Sequence, residues 1–286
     1  MSFQTIMKIL SQFLILLSLI IACNQVDAEP VQTEYNQLIL NADLQDNGER
    51  GKPVFLLVHG TWATHKMEIM RTLQELLAEA EYNSLAISLS LGVSNRTENQ
   101  DCASGIKAGQ NDNLDELGHW INYLEQKGFT EVVLIAHSRA GAQVASFTHK
   151  AQDKRIKAQA LIAPMVWSAE SVPDDVRNRA DKSTDKMLSK VAVLYCDETN
   201  ISLDAYRSYY SEQPEKNTPT IIKNSLIKTI VYLGTDDELI TENFLKQSAL
   251  LEKNSNITTH IIDGADHFFR DLNSDEIVEH LIEELE

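Results

Sequence analysis

The strongest constraint on this chain is a repeated alternation between short, wholly apolar runs and segments of helical spacing. Residues 54–58, Val54-Phe55-Leu56-Leu57-Val58, form one such run. Residues 66–80 follow, with Met67, Met70, Leu73, Leu76 and Leu77 at the intervals that gather on one face of a helix. The pattern recurs as a strand over 85–91, a helix over 114–126 closed by Gly128, a strand over 132–136, a helix over 143–150 and a strand over 158–163. It returns later as strand 229–233, helix 242–252, strand 258–262 and helix 274–285. A strand that is apolar along its whole length must be covered on both faces. The expected class is therefore α/β, a mostly parallel, doubly wound sheet. Ahead of it, 37–44 reads as a short edge strand and Asp46-Asn47-Gly48 as a turn.

Two stretches break the rhythm. Residues 92–111 are a polar loop rich in Gly and Asn. Residues 165–220 are charged and hold no clean βα unit, with a candidate strand at 191–195. Tyr206, Tyr209 and Tyr210 fall on one helical face there and read as packing of the insertion. A long insertion inside a regular sheet reads as a lid or cap.

The start of the chain predicts export. The apolar run at 9–22 is too short for a membrane span, which needs about 20 residues, but suits the core of a signal peptide over 1–28. Two exits are open. Val26-Asp27-Ala28 permits cleavage before Glu29, and Ile20-Ile21-Ala22-Cys23 resembles a lipobox, in which Cys23 would be lipidated. The polar stretch 24–36 would then be a tether, attaching the protein to a membrane through its N-terminus only, and the main domain spans 50–286. Cys102 and Cys196 remain as an even pair, either a disulfide or two buried thiols.

The net charge is −17. Removing residues 1–28 takes away one lysine and one aspartate and leaves that charge unchanged. Phosphate contacts need clustered Lys and Arg, which this chain lacks, so a nucleic-acid partner is not expected. There is no P-loop, no G-x-G-x-x-G and no metal motif of the H-x-x-x-H kind, so neither metal nor cofactor is expected. Asn95, Asn200 and Asn256 begin glycosylation sequons, which carry little meaning if the host is bacterial.

The chemistry gathers at strand ends. The run Val132-Val133-Leu134-Ile135-Ala136-His137 stops at Ser138-Arg139-Ala140-Gly141, a serine at a strand-to-helix turn. A tight turn there would lift the hydroxyl off the sheet and leave the first amides of the helix free for an oxyanion. His59-Gly60-Thr61-Trp62 closes the strand at 54–58, Gly234-Thr235-Asp236-Asp237 closes 229–233, and Asp263-Gly264-Ala265-Asp266-His267 follows 258–262. In a doubly wound sheet these loops share one edge.

With these four motifs, in this order, the chain resembles the α/β-hydrolases over about residues 50–286. The resemblance implies Ser138 as nucleophile, His267 as general base and Asp237 as the acid that orients it, with Asp236 as the alternative. Either aspartate could instead cap a helix ahead of Leu239. Asp266 is less suited, because a neighbour in sequence seldom reaches back to the ring. The amides of Thr61 and Arg139 would form the oxyanion hole, with Trp62 as an alternative donor. The elbow departs from the family pattern in having Ala136 and Ala140 where glycine is commonest, with Gly141 just beyond. The expected substrate is a small-molecule ester, a peptide, amide or thioester being the alternative; a hydrolase fold without activity, used for binding, is a third reading. His59 and His137 read as structural, and His119 as lying near the surface.

Overall fold

The computed structural model describes residues 28–166, 173–210 and 217–286. The expected signal peptide and the lipobox at Cys23 lie outside the described residues. Strands β1 (Glu29–Tyr35) and β2 (Leu38–Gln45) form an antiparallel hairpin. Asn36 and Gln37 make its two-residue turn, both at positive φ, which matches the twist of paired strands. This corrects two expectations: residues 29–35 are the edge strand rather than a tether, and the 37–44 segment lies one strand further in. The period-two pattern was present in Val31, Thr33 and Tyr35, but among polar neighbours. Val31 and Tyr35 pack against the main core.

The regular alternation then follows as β3 (Val54–Val58), α1 (Glu68–Glu79), β4 (Ser84–Ser88), α2 (Gln110–Gln126), β5 (Val132–His137), α3 (Arg139–Ala151) and β6 (Ile156–Ile162). The insertion holds α4 (Asp174–Lys182), β7 (Met187–Val193), β8 (Cys196–Ser202) and α5 (Leu203–Tyr210). The chain ends with α6 (Thr218–Ile222), β9 (Lys228–Gly234), α7 (Thr241–Leu245), β10 (Ile257–Ile262) and α8 (Leu272–Leu285). The main sheet runs β1-β2-β4-β3-β5-β6-β9-β10, parallel from β4 to β10. Every residue of β3, β4 and β5 is buried, the two-sided cover that their composition demanded. Helix α1 lies against α8, and α2 against α3, which also packs on α6. The strand order reverses between β3 and β5, and that switch point opens a crevice at the carboxyl ends of the strands.

Some helix boundaries differ from the pattern. Helix α2 starts four residues early because the Asp112 carboxylate accepts the Gly109 amide and Ser208 Oγ accepts the Gln110 amide. The expected helix over 242–252 shrinks to α7 and a 3-10 turn at Ser248–Leu250. Only Phe244 and Leu251 of its apolar residues are buried, while Leu245 and Leu250 face outward, so no continuous stripe drives a longer helix.

Within the 165–220 segment, residues 173–210 form a separate small body. Its centre is a β7–β8 hairpin instead of a single strand at 191–195; Leu194 and Tyr195 are its turn, both at positive φ. Val176, Leu188, Val191, Ile201, Tyr206 and Tyr209 form a core distinct from that of the sheet. The later part of the 92–111 loop, residues 102–107, packs on this body. Ile106 joins its core, donates its amide to Asn200 O (2.7 Å) and accepts from Ser202 N (2.8 Å). Thr199 Oγ1 donates to Cys102 O (2.7 Å). Cys102 and Cys196, 94 residues apart, are joined by a disulfide.

Candidate active site

Strand β5 delivers Ser138 at φ 56° and ψ −121°. A non-glycine residue there costs on the order of 1–3 kcal/mol and persists only where the surroundings impose it. Three backbone bonds do so: Ser138 N donates to Ile162 O (2.8 Å), while Ser138 O accepts from Gly141 N (2.9 Å) and Met165 N (3.0 Å). The closest approach in this elbow falls on Gly141, where a Cβ would sit 2.7 Å from Pro164 Cβ. Ala136 and Ala140 are fully buried without such a clash, which explains why alanine serves where glycine is commoner. Helix α3 begins at Arg139, so the Arg139 amide is among those with no acceptor inside the helix.

Loops after β9 and β10 bring two more groups to Ser138. His267 Nδ1 donates to Asp237 Oδ2 (2.8 Å), and Ser138 Oγ donates to His267 Nε2 (3.0 Å). Asp237 Oδ1 accepts the amides of Leu239 (2.9 Å) and Ile240 (3.1 Å). One carboxylate therefore caps a turn with one oxygen and holds the imidazole with the other. Burial works to raise the Asp237 carboxyl, but the bond and charge of His267 and the two amides outweigh it, leaving the pKa below the ordinary value. The loops abut at Gly234, where a Cβ would meet Ala265 O at 2.1 Å. Asp236 is exposed and bonds Thr235. Asp266 accepts the Phe268 amide (2.9 Å) and pairs with Arg270, so it does not serve His267.

Two buried histidines set these loops. His59 Nδ1 donates to Gly60 O (2.7 Å), and its Nε2 accepts from Leu89 N (3.0 Å) and faces Arg96 Nη2 (3.1 Å). Burial, and then the Arg96 charge, push its pKa down to about 3, so the ring is neutral. Because a trans peptide is planar, fixing Gly60 C=O toward His59 turns the Thr61 N–H the opposite way. Thr61 Oγ1 accepts from Arg139 Nε (2.9 Å), which places this loop beside the start of α3. His137 Nε2 donates to His267 O (2.7 Å), and burial pushes its pKa down to about 4. Both are structural, as the sequence suggested. His119, half-buried, hydrogen-bonds Thr33 Oγ1 (3.1 Å).

Arg96 has a role that its place in the sequence does not announce. It is buried, donates to the carbonyls of Leu89, Glu98 and Trp62, and its pKa falls to about 10 through burial, partly offset by Glu116. Glu116 in turn accepts the amide and hydroxyl of Ser90. Nothing in a polar Asn-Arg-Thr loop marks such a role. Trp62, at φ 63°, donates its indole N–H to Leu194 O in the cap turn (2.6 Å) and accepts from Gln100 N (2.9 Å). It thereby ties the β3 loop to the cap.

Ser138 is 6% exposed. Under the cap lies a cavity of about 20 Å³ lined by Gly60, Thr61, Trp62, Arg139 and Tyr209, among others. Tyr209 is thus both a packing residue of the cap and part of this wall. On the other side, a groove of about 610 Å³ runs between Thr64–Ile69 and Phe268–Asp271, next to His267.

A model of the alpha/beta hydrolase family matches residues 55–280, and the chain belongs to that family. No curated protein matches it. Among solved structures it is similar to Est1E from Butyrivibrio proteoclasticus with bound ferulic acid, at 16% identity and TM-score 0.67, covering 89% of this chain and 99% of that one. It is similar to the alpha/beta hydrolase GrgF from Penicillium sp. sh18, at 14% identity and TM-score 0.66 over 91% and 97% of the two chains. It is also similar to a monoacylglycerol lipase from Paleococcus ferrophilus, at 17% identity and TM-score 0.63 over 85% and 98%. At these identities the likeness establishes the fold.

Proposed function

We propose that the chain is a serine hydrolase that cleaves a small-molecule carboxylic ester through an acyl-enzyme. The observation that carries this reading is the unbroken chain of hydrogen bonds Asp237–His267–Ser138 at the switch point of the sheet. Family membership and neighbours named as esterase and lipase support hydrolysis as the reaction class. His267 Nε2 takes the Ser138 proton as Oγ attacks the ester carbonyl, and Asp237 stabilises the imidazolium that forms. The carbonyl oxygen becomes an oxyanion facing the amides of Thr61 and Arg139. Collapse of this intermediate expels the alcohol, which receives the proton from His267. Water, deprotonated by the same nitrogen, then releases the acid. The disulfide and the apolar N-terminal run support an exported protein, carried to the periplasm or held there by a lipid on Cys23.

A fluorophosphonate probe tests the nucleophile. It should label the wild type and not Ser138→Ala, and esterase turnover should fall by roughly 10³-fold or more in that variant. Labelling that persists in Ser138→Ala would overturn the assignment. Short acyl esters compared with aminoacyl amides separate an esterase from a peptidase.

A further inference from the structure

The residue that follows the nucleophile is a half-buried cation, and the rest of its surroundings give that charge nothing to neutralise it. Arg139 Nε is spent on Thr61 Oγ1 (2.9 Å), the guanidinium carbon stands 5.6 Å from the centre of the Tyr209 ring, and the Tyr210 hydroxyl also faces the guanidinium. Among the described residues Arg139 forms no ion pair. The guanidinium keeps donors in a planar fork that matches a carboxylate. It lines the small cavity under the cap, beside the Thr61 loop and one residue from Ser138.

A second observation concerns the same cavity. Asn113 is fully buried and lines it, and its Oδ1 has no partner. An alkyl chain entering here would leave this amide and the guanidinium without partners, at the full cost of desolvating them. A polar group would not. Asn113 Nδ2 bonds Tyr209 Oη (3.1 Å). Turning the amide over keeps that contact, with the tyrosine hydroxyl now donating, and points the NH₂ into the cavity.

We propose that Arg139 binds a carboxylate carried on the acyl part of the ester, so that the enzyme prefers half-esters of short dicarboxylic acids over esters of alkanoic acids. This inference rests on Ser138 being the nucleophile, since it is the acyl-enzyme that places the acyl chain beside Arg139. The cavity volume of about 20 Å³ is roughly that of one water, room for a single polar group rather than for an alkyl chain. The Arg139 side chain acts here as a specificity determinant, separate from its backbone amide.

The experiment compares mono-(p-nitrophenyl) succinate with p-nitrophenyl butyrate, two esters of equal acyl length and one leaving group. The ratio of their kcat/KM values is measured for the wild type, Arg139→Met, Arg139→Gln and Arg139→Lys, with a thermal melt of each to identify the folded variants. The ratio should fall at least tenfold in Arg139→Met and Arg139→Gln and less in Arg139→Lys, which keeps the charge but not the fork. A ratio that stays within twofold in the folded neutral variants would overturn the proposal and leave Arg139 as a brace for Thr61. Fluorophosphonate labelling of the wild type separates the two levels. If the probe labels Ser138 and the ratio ignores Arg139, this inference alone falls. If the probe fails to label, the serine-hydrolase reading falls and takes this one with it.

Discussion

The sheet and the cap of this molecule are built on different principles. The sheet has a continuous core through β3, β4, β5, β6 and β9, made by strands whose composition admits little else. The cap buries a dozen residues from four short elements and a loop, and it is tied by one disulfide, one β-bridge and single hydrogen bonds. The sheet brings Ser138, His267 and Asp237 within hydrogen-bonding distance, while the cap lines the small cavity beside them. A fold can therefore keep its chemistry constant and vary its substrate, because the two tasks rest on separate cores with a narrow joint between them.

The largest perturbation of the contrast is acid. His59 and His137 lie on the sheet side and are held neutral, with pKa values lowered from 6.5 to about 3 and about 4. Below pH 6.5 the unfolded chain takes up protons that the folded chain refuses, so stability falls as pH falls. Each histidine should remove about 3 kcal/mol between pH 6.5 and 4. Glu116, whose pKa burial raises, opposes part of this, since it binds its proton more readily when folded. Urea unfolding at a series of pH values should give this slope for the wild type and a shallower one for His137→Gln. A flat profile between pH 6.5 and 4 would contradict the neutral assignment.

The next effect falls on the cap. Replacing Cys102 and Cys196 by serine should cost about 2–4 kcal/mol, since the bond closes a loop of 94 residues. Hydrogen exchange should quicken in β7, β8 and the 92–109 loop and leave β3 to β6 protected. Uniform loss of protection across both bodies would show that the cap and sheet unfold as one. The smallest effect tests the joint. Trp62→Phe removes the bond to Leu194 O and should cost about 1 kcal/mol. Esters with bulky acyl groups should gain turnover relative to short ones in that variant; an unchanged ratio would place substrate selection away from the joint.

Legibility followed the same division. The parallel sheet, the elbow at Ser138 and the order of Asp237 and His267 were visible because a buried strand carries its own apolar signature and chemistry falls at its end. Asp237 against Asp236 was not decidable from spacing alone; the structure separates them because only one carboxylate turns inward, beneath the contact of Gly234 with Ala265. The β1 strand was overlooked because its alternation is half polar, and the cap hairpin because its turn, Leu194-Tyr195, has none of the glycine or asparagine that marks such turns.

By itself the sequence determined the architecture and marked Ser138 and His267 as the proposed nucleophile and base, through hydrophobic period and the position of reactive residues at strand ends, both of which are local properties. Tertiary structure decided the rest: that Asp237 bonds His267, that His59 orients the peptide before Thr61, that Cys102 meets Cys196, and that Arg139 lines a small cavity under the cap. Those facts depend on groups brought together from distant parts of the chain. Their energies come from desolvation and paired charges, which have no period to read.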